Sequence, residues 1–561
     1  MTIQRFKWIE PDPIPRNIDL ELAEFPPILR QVLFRRGLIT KKDAISYLSP
    51  QEPGWYPSLQ LLHTEKCCQL IRETIQNQGC IAVYGDYDAD GITGTALLVT
   101  ALLKITKNVI YYIPDRIKEG YGLNKNALLS LAEQGVKLLI TVDNGIRSLG
   151  EVEFGNSLGL KVIITDHHTP KSILPSAAGM LNPKLPDDQY PNKNLSGVGI
   201  VYKLISALSS HYPEIIPVDY LDLVSIGTIA DIVPLVGENR YLVRQGLKLI
   251  NQFHRQSIAS LLGAANLIPG KITSQDISYQ IGPRLNAPGR IGNPATSLEL
   301  LLSTDLQTSG NLAQILETQN YQRKIISLSM EQRVDNLVAK YDPLPSILFA
   351  LDSEFHVGIV GITAGYLTKK YYLPSVVGNS GSDQTIASCR SIPEFNIISA
   401  LDQCKDLFIR YGGHALAAGF TILNNKLPEL EERLSNLADE CLADLELHPT
   451  LSIDAEVSLA QLDETLYITL EDLEPTGSQN PEVSFLTRNL TALQKKAVGQ
   501  NDNHLKLKVS DGNYTLDAIC FGMGDLIKRI PSSFDAVYKF DLNEFRGKRS
   551  YQLRIIDIRP A

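Results

Sequence analysis

Between residues 80 and 168 the chain alternates short, β-rich apolar runs with helical ones, and each apolar run stops on charged or polar side chains. CIAVY passes into GDYDADG, NVIYYI into PDR, VKLLITV into DNG and LKVIIT into DHH. TGTALLVTALLKI, NALLSLAEQG and EVEFGNSLG lie between them and read as helices, the second closed by Gly135. This rhythm predicts a doubly wound, parallel α/β sheet. Such sheets take their ligands at the carboxyl ends of the strands, which is where the polar residues gather.

Those polar residues have a shared chemistry. Asp86, Asp88 and Asp90 alternate in GDYDADG, and in an extended segment alternate side chains share one face. Three carboxylates on one face repel one another unless a cation sits among them. Asp143 ends the VKLLITV run, Asp166, His167 and His168 end LKVIIT, and Asp231 lies in SIGTIADIVPL, each expected at a strand end. A single Asp at a strand end is usually a helix cap or turn former, and a single buried His is usually a hydrogen-bonded core residue. The ordered set argues against that reading for the group as a whole. Mixed Asp and His donors suit Mn²⁺ or Mg²⁺. Two such ions roughly 3.5–4 Å apart can hold a phosphodiester, supply the nucleophile and stabilise the leaving oxygen.

The rest of the chain divides by texture. Residues 1–75 read as a helical lead-in, with Leu29, Val32, Leu33 and Leu38 at helical spacing and KKDAISYLSP as a short helix stopped by Pro50. The α/β domain is expected over 76–305, a long connecting helix over 306–342, and a smaller α/β domain over 343–447. Residues 448–561 show period-two alternation broken by Gly and Asp turns, which predicts an antiparallel barrel of the OB type. Net charge is −9, which excludes a purely electrostatic nucleic-acid binder but not a local basic surface. The seven cysteines show no CxxC spacing and are expected as reduced thiols. Neither a signal peptide nor a membrane span is expected, so the chain is placed in the cytoplasm.

YGDYDADGITGT, TVDNGI, TDHH and GTIADIVPL resemble, in order and spacing, the four motifs of the DHH phosphoesterases. YIPDRIKEGYGLN, LSGVGIVYKL, GPRLNAPGRIG, SCRSI, GGHALAAGF and LEPTGSQNP extend the resemblance, from about residue 75 to the end, to the RecJ exonucleases of that family. The resemblance implies Asp88, Asp90, Asp143, His167 and Asp231 as metal ligands, with Asp86, Asp166 and His168 positioning water and ligands. Other members carry His where this chain has Tyr84, which leaves the first metal's ligand set open. It also implies that Arg116, Ser388 and Arg390 hold a 5′-terminal phosphate, and that Gly412, Gly413 and His414 contact substrate phosphate. Arg284, Asn286 and Arg290 of GPRLNAPGRIG join this nucleic-acid-binding set, Arg290 with a structural alternative. Lys506, Lys508, Arg546, Lys548, Arg549 and Arg554, with Tyr514, Phe521, Phe545 and Tyr551, would let the barrel hold a single strand by charge and stacking.

The implied function is 5′→3′ hydrolysis of single-stranded DNA to nucleoside 5′-monophosphates with two divalent cations, Mn²⁺ or Mg²⁺, in repair and recombination. The implied partners are single-stranded DNA, a single-strand-binding protein and a helicase, around a monomeric enzyme. Two alternatives stand beside it. One is a DHH phosphodiesterase for short oligonucleotides or cyclic dinucleotides, which would not need the barrel. The other is a non-catalytic scaffold, which would be expected to have lost ligands.

Overall fold

The computed structural model describes residues 4–49, 55–116, 119–120, 122–545 and 548–561. The chain forms two compact units, residues 55–447 and residues 1–54 together with 448–561.

In the larger unit, helix α1 (Thr64–Gln76) leads into β1 (Cys80–Tyr84), α2 (Ala89–Leu103), β2 (Val109–Tyr112), α3 (Lys125–Glu133), β3 (Val136–Val142), α4 (Leu149–Ser157), β4 (Lys161–Thr165) and β5 (Gly179–Leu181). The strands pair in the order β2-β1-β3-β4-β5, all parallel. Strand residues alternate between two cores, as a period of two requires. Ile81, Val83, Leu138, Ile140 and Ile163 pack towards α1, α2 and α5 (Gly197–Leu208). Ala82, Tyr84, Leu139, Val162 and Ile164 pack against α3 and α4. The chain leaves β1 for β2 on one side and returns to β3 on the other. The carboxyl ends of β1 and β3 therefore flank the switch point of the sheet, the favoured ligand position. Helix α6 (Leu221–Ala230) packs on α2, whose ADGITGTALLVTALL sequence is apolar on nearly every side and correspondingly buried.

Helix α7 (Leu306–Val338), 33 residues long and capped by Asp305, connects to a five-stranded mixed sheet. That sheet comprises β6 (Leu348–Leu351), β7 (Ser375–Ser380), β8 (Gln384–Arg390), β9 (Phe408–His414) and β10 (Ala417–Leu423) in the order β9-β10-β8-β7-β6, with α8 (Val360–Tyr371) against β7 and β8. Gly412 and Gly413 lie in the edge strand β9, opposite Gly419 and Ala418.

In the other unit, β11 (Phe485–Val498), β12 (His504–Ser510), β13 (Thr515–Cys520), β14 (Phe534–Phe545) and β15 (Lys548–Pro560) form a closed barrel, because β11 pairs with both β12 and β14. The first 75 residues, expected as one helical lead-in, contribute to both units. Lys7–Ile9 is a strand paired in parallel with Thr450–Ser452, and Leu22, Leu29, Val32 and Leu33 share the barrel's core. The LEPTGSQNP segment braces this packing. Asn480 accepts hydrogen bonds from Arg36 and Tyr47, and Thr476 Oγ1 donates to Glu474 Oε1 at 3.1 Å. Helix Lys41–Leu48 ends as expected, with Pro50 outside the described residues.

Several basic and aromatic groups assigned to strand binding are engaged within the barrel unit. Arg554 pairs with Glu482 and Asp541, both at 2.7 Å, and Arg549 with Glu544 at 3.4 Å. Tyr551 packs on Phe540, ring centroids 5.1 Å apart. Lys506 meets Asp517 at 3.5 Å, whereas Tyr514 and Phe521 are exposed. Arg546 and the side chains of Phe545 and Lys548 lie outside the described residues. All seven cysteines are free, and among the described residues no helix is long and apolar enough to cross a membrane.

Candidate metal centre and phosphate pocket

The alternating Asp triplet is not extended. β1 ends at Tyr84 and α2 begins at Ala89, so a turn brings the three carboxylates together instead of a shared strand face. Asp88 is the N-cap of α2, and its Oδ1 accepts from Asp90 N at 3.0 Å and Gly91 N at 3.1 Å. Asp90 sits in the first helical turn and reaches the N-terminus of α5, accepting from Gly197 N at 2.6 Å and Val198 N at 2.9 Å. The unpaired amides and dipole of a helix N-terminus suit a carboxylate there. Asp231, expected at a strand end, instead follows helix α6 as its C-cap. Asp143 follows β3 with φ +64°, left-handed backbone that Asp tolerates better than most residues.

These elements converge. Ligand atoms of Asp86, Asp88 and Asp143 lie within 4.8 Å of one another, as do those of Asp90, His167 and Asp231, and those of Asp143, His167 and His168. His167 Nε2 stands 3.2 Å from Asp143 Oδ1 and 3.5 Å from Asp231 Oδ2. Asp166 faces His168 instead, accepting from His168 N at 3.0 Å and from its Nδ1 at 2.7 Å, while Ile146 N donates to its other oxygen at 2.9 Å. That bond fixes the His168 tautomer and leaves Nε2 for other work. Tyr84 turns away, donating from its hydroxyl to Gly122 O at 3.0 Å on the opposite face of the sheet.

The electrostatics call for cations. Burial, then the neighbouring carboxylates, push Asp86, Asp143 and Asp231 well above the usual carboxylate range. The same causes bring Asp90 up to about 7. Burial, then the charge of His168, takes His167 down to about 3, a neutral imidazole ready to coordinate. Burial would also raise Asp166, but the bonds from His168 and Ile146 outweigh it and hold the carboxyl low. Asp86 Oδ1, His167 Nε2 and Asp231 Oδ2 are buried and make no hydrogen bond. Unmet buried acceptors beside a neutral imidazole fit a divalent metal with oxygen and nitrogen ligands.

Two glycines make room for this crowding. A Cβ at Gly197 would lie 2.7 Å from Asp143 Cβ, and one at Gly227 would lie 2.8 Å from Asp90 Oδ1. Asn286, assigned to nucleic acid, instead accepts from Ala89 N at 2.7 Å and so holds the Asp88–Asp90 turn. Arg284, similarly assigned, is buried and ion-paired to Glu317, with Nη1 donating to Gln280 O at 2.7 Å. A wide π-turn over Ile277–Ile281 precedes both.

Beside the acid cluster is a cavity of about 480 Å³, lined by Tyr87, Arg116, Ser388, Arg390, Arg410, Gly412 and Gly413 among others. Arg390 Nη1 donates to Ser388 Oγ at 3.0 Å, so the hydroxyl and guanidinium are held together. Arg116 lies 5.1 Å over the Tyr87 ring. Arg290 is half-buried next to them. Burial first, then the charges of Arg116 and Arg323, take it down to about 10, and its Nη1 donates to Gly358 O at 3.3 Å. The sequence reading missed Tyr87 and Arg410. Tyr87 lies inside the acidic motif and Arg410 four residues before His414, so proximity to each motif was the available signal.

Comparison with known proteins matches this architecture piece by piece. The chain fits the DHH family N-terminal domain over residues 80–228, the DHHA1 domain over 344–444 and the RecJ OB domain over 453–557. It is 34% identical to the single-stranded-DNA-specific exonuclease RecJ of Escherichia coli, over 96% of both chains. It is 33% identical to that of Bacillus subtilis, over 96% of this chain and 68% of the relative. The crystal structure of RecJ in complex with Mn²⁺ from Thermus thermophilus superposes with a TM-score of 0.86 at 27% identity, over 99% of this chain and 80% of that one. The Mg²⁺ complex gives 0.79 at 26% identity, over 99% and 79%. The chain belongs to the RecJ family, within the wider group of DHH proteins.

Proposed function

We propose that this chain is a single-stranded-DNA-specific exonuclease that works from the 5′ end, releases nucleoside 5′-monophosphates and uses two divalent cations, Mn²⁺ or Mg²⁺. One observation carries the reading. A buried acid–histidine cluster with unmet acceptors and a cavity holding Arg116, Ser388 and Arg390 belong to the same unit. Asp88, Asp90, Asp143, His167 and Asp231 would hold the ions, which supply Lewis-acid stabilisation of charge developing on the phosphoryl oxygens. Asp86 borders the same group, and Asp166 orients His168 towards substrate.

Polarity follows from the cavity. A terminal phosphate carries a charge of about −2, against −1 for an internal diester, and so gains more from two guanidiniums and a hydroxyl. Gly412 and Gly413 line the same cavity, and His414 follows them in the edge strand β9. All five expected ligands are present, which disfavours a non-catalytic scaffold, and the barrel disfavours an enzyme confined to dinucleotides. The work envisaged is DNA repair and recombination in the cytoplasm, as a monomer acting with a helicase and a single-strand-binding protein. The test is digestion of 5′- and 3′-labelled single strands and their duplexes with Mn²⁺. Immediate release of labelled mononucleotide from the 5′ label, on single strands only, is expected. Release from the 3′ label first, or equal attack on duplex, would overturn it.

A further inference from the structure

A second set of cations borders the acid cluster at the turn that carries Asp166, His167 and His168. Arg147, just beyond β3, donates from Nε to Thr169 O at 2.9 Å, which ties it to the loop after His168. Lys184, just beyond β5, donates its amide to Asn182 Oδ1 at 2.8 Å, and Asn182 Nδ2 donates to His168 O at 2.9 Å. Both residues are half-buried and are clipped to the turn that carries Asp166, His167 and His168. Their charges act on one another, on Asp166, Asp231 and His168, and on His414 from the other domain of the same unit. Among the described residues neither makes an ion pair within 4.0 Å. By contrast Arg116 acts on Asp86, and on Arg290 and Arg390. The acid cluster is thus bordered by two separate cationic arms.

A polyanion crossing buried carboxylates needs cations where it enters and where it leaves. With a 5′-terminal phosphate in the Arg116 and Arg390 cavity and the scissile diester over the acids, the other arm meets the strand as it continues. We propose that Arg147 and Lys184, with His414, hold the phosphate immediately 3′ of the scissile one. This rests on the exonuclease reading above, and it assigns these two side chains a positioning role. The compact ammonium of Lys184 and the planar fork of Arg147 both accept a diester without demanding a terminal group.

The test separates this phosphate from the others by substrate length. A 5′-phosphorylated dinucleotide carries the terminal and scissile phosphates only; the trinucleotide adds the one in question. Binding of both is measured by fluorescence anisotropy in EDTA, where nothing is cut, for the unaltered chain and for R147Q/K184Q. The unaltered chain should bind the trinucleotide about tenfold more tightly, as expected for one charge-assisted contact pair. In the double variant that ratio should fall towards one, and Lys184→Arg with Arg147 kept should restore most of it. The kcat/KM ratio in Mn²⁺ should follow. A ratio that survives the double substitution, or that is absent from the unaltered chain, overturns the proposal. Equal losses on both substrates do the same, because they place the arm on the scissile phosphate or on the fold. Failure of the unaltered chain to cut any strand in Mn²⁺ strikes the exonuclease reading, and the binding ratio still decides this one.

Discussion

Gly197→Ala should disable the centre without unfolding the chain. The new Cβ would stand 2.7 Å from Asp143 Cβ and 2.9 Å from its Oδ1. Carbon atoms rest at about 3.5–4.0 Å, so one partner must retreat by about 1 Å. Asp143 has little freedom to do so: its amide donates to Thr165 O at 2.9 Å and its backbone is already left-handed, φ +64°. Helix α5 cannot yield easily either, because Gly197 N and Val198 N hold the Asp90 carboxylate at 2.6 and 2.9 Å. Any retreat therefore moves a candidate ligand. A displacement of this size costs about 10²-fold in rate, and overpacking costs about 1–3 kcal/mol in stability. The assay is kcat/KM on a 5′-phosphorylated single strand with saturating Mn²⁺, beside Mn²⁺ titration calorimetry and thermal unfolding. Asp143→Ala, which deletes the ligand outright, sets the floor. Gly263→Ala is the control, since its Cβ would meet nothing within 4 Å; in its helix Ala should add about 0.5–1 kcal/mol of stability. A folded Gly197→Ala protein with most of its activity and Mn²⁺ affinity intact would refute the placement of Asp143 at the centre.

In EDTA the chain should lose stability as pH rises. The Asp90 carboxyl, raised to about 7 by burial and then by Asp88, stands above its unfolded value of about 3.9, so its contribution is complete below that value and is lost as pH passes 7. Asp86, Asp143 and Asp231 shift in the same direction. Mn²⁺ should flatten the profile, and an EDTA melting temperature that rises between pH 5 and 8 would contradict the sign. Arg390→Ala should reduce the preference for a 5′-phosphate over a 5′-hydroxyl strand by about tenfold, from the loss of a charge-assisted bond; equal rates on both strands for the unaltered chain would remove the pocket's assigned role. A fragment of residues 55–447 contains every candidate ligand and should still cut very short strands. Its affinity for long ones should fall, with a shallower salt dependence, and unchanged long-strand affinity would give the barrel another task.

The parallel sheet and the membership of the acid cluster were legible because both are local. Short continuous apolar runs fix the strands, and the polar residues that end three of them, after β1, β3 and β4, mark where the candidate ligands gather. What could not be read was how the ligands are aimed. Asp86, Asp88 and Asp90 look like one strand face until the position of the α2 N-terminus is known, and Asn286 looks like a substrate contact until Ala89 N is found 2.7 Å away. Arg284 belongs to the same class, since its partner Glu317 lies 33 residues on in another helix. The N-terminal strand is the extreme case. Lys7 pairs with Thr450, and nothing in KWI alone indicates a partner so distant.

Backbone conformation explains a further part of what was hidden. Asp231 is held at the end of α6, and the next residue, Ile232, ends that helix at φ +59°. Glycine or asparagine usually stands there, because a left-handed conformation costs an ordinary L-residue about 1–2 kcal/mol. A β-branched residue gives no such signal, so ADIVP reads as a strand end in the sequence. Asp143 is left-handed as well, so candidate ligands from two different elements sit at or beside unfavourable backbone. Such strain persists only where the surroundings over-determine it. Here they do: the β3 and β4 pairing fixes Asp143, and the packing of α6 on α2 fixes Asp231. The large apolar core beneath the sheet therefore has a catalytic consequence. It holds five repelling carboxylates close enough together that a divalent cation becomes their most favourable partner.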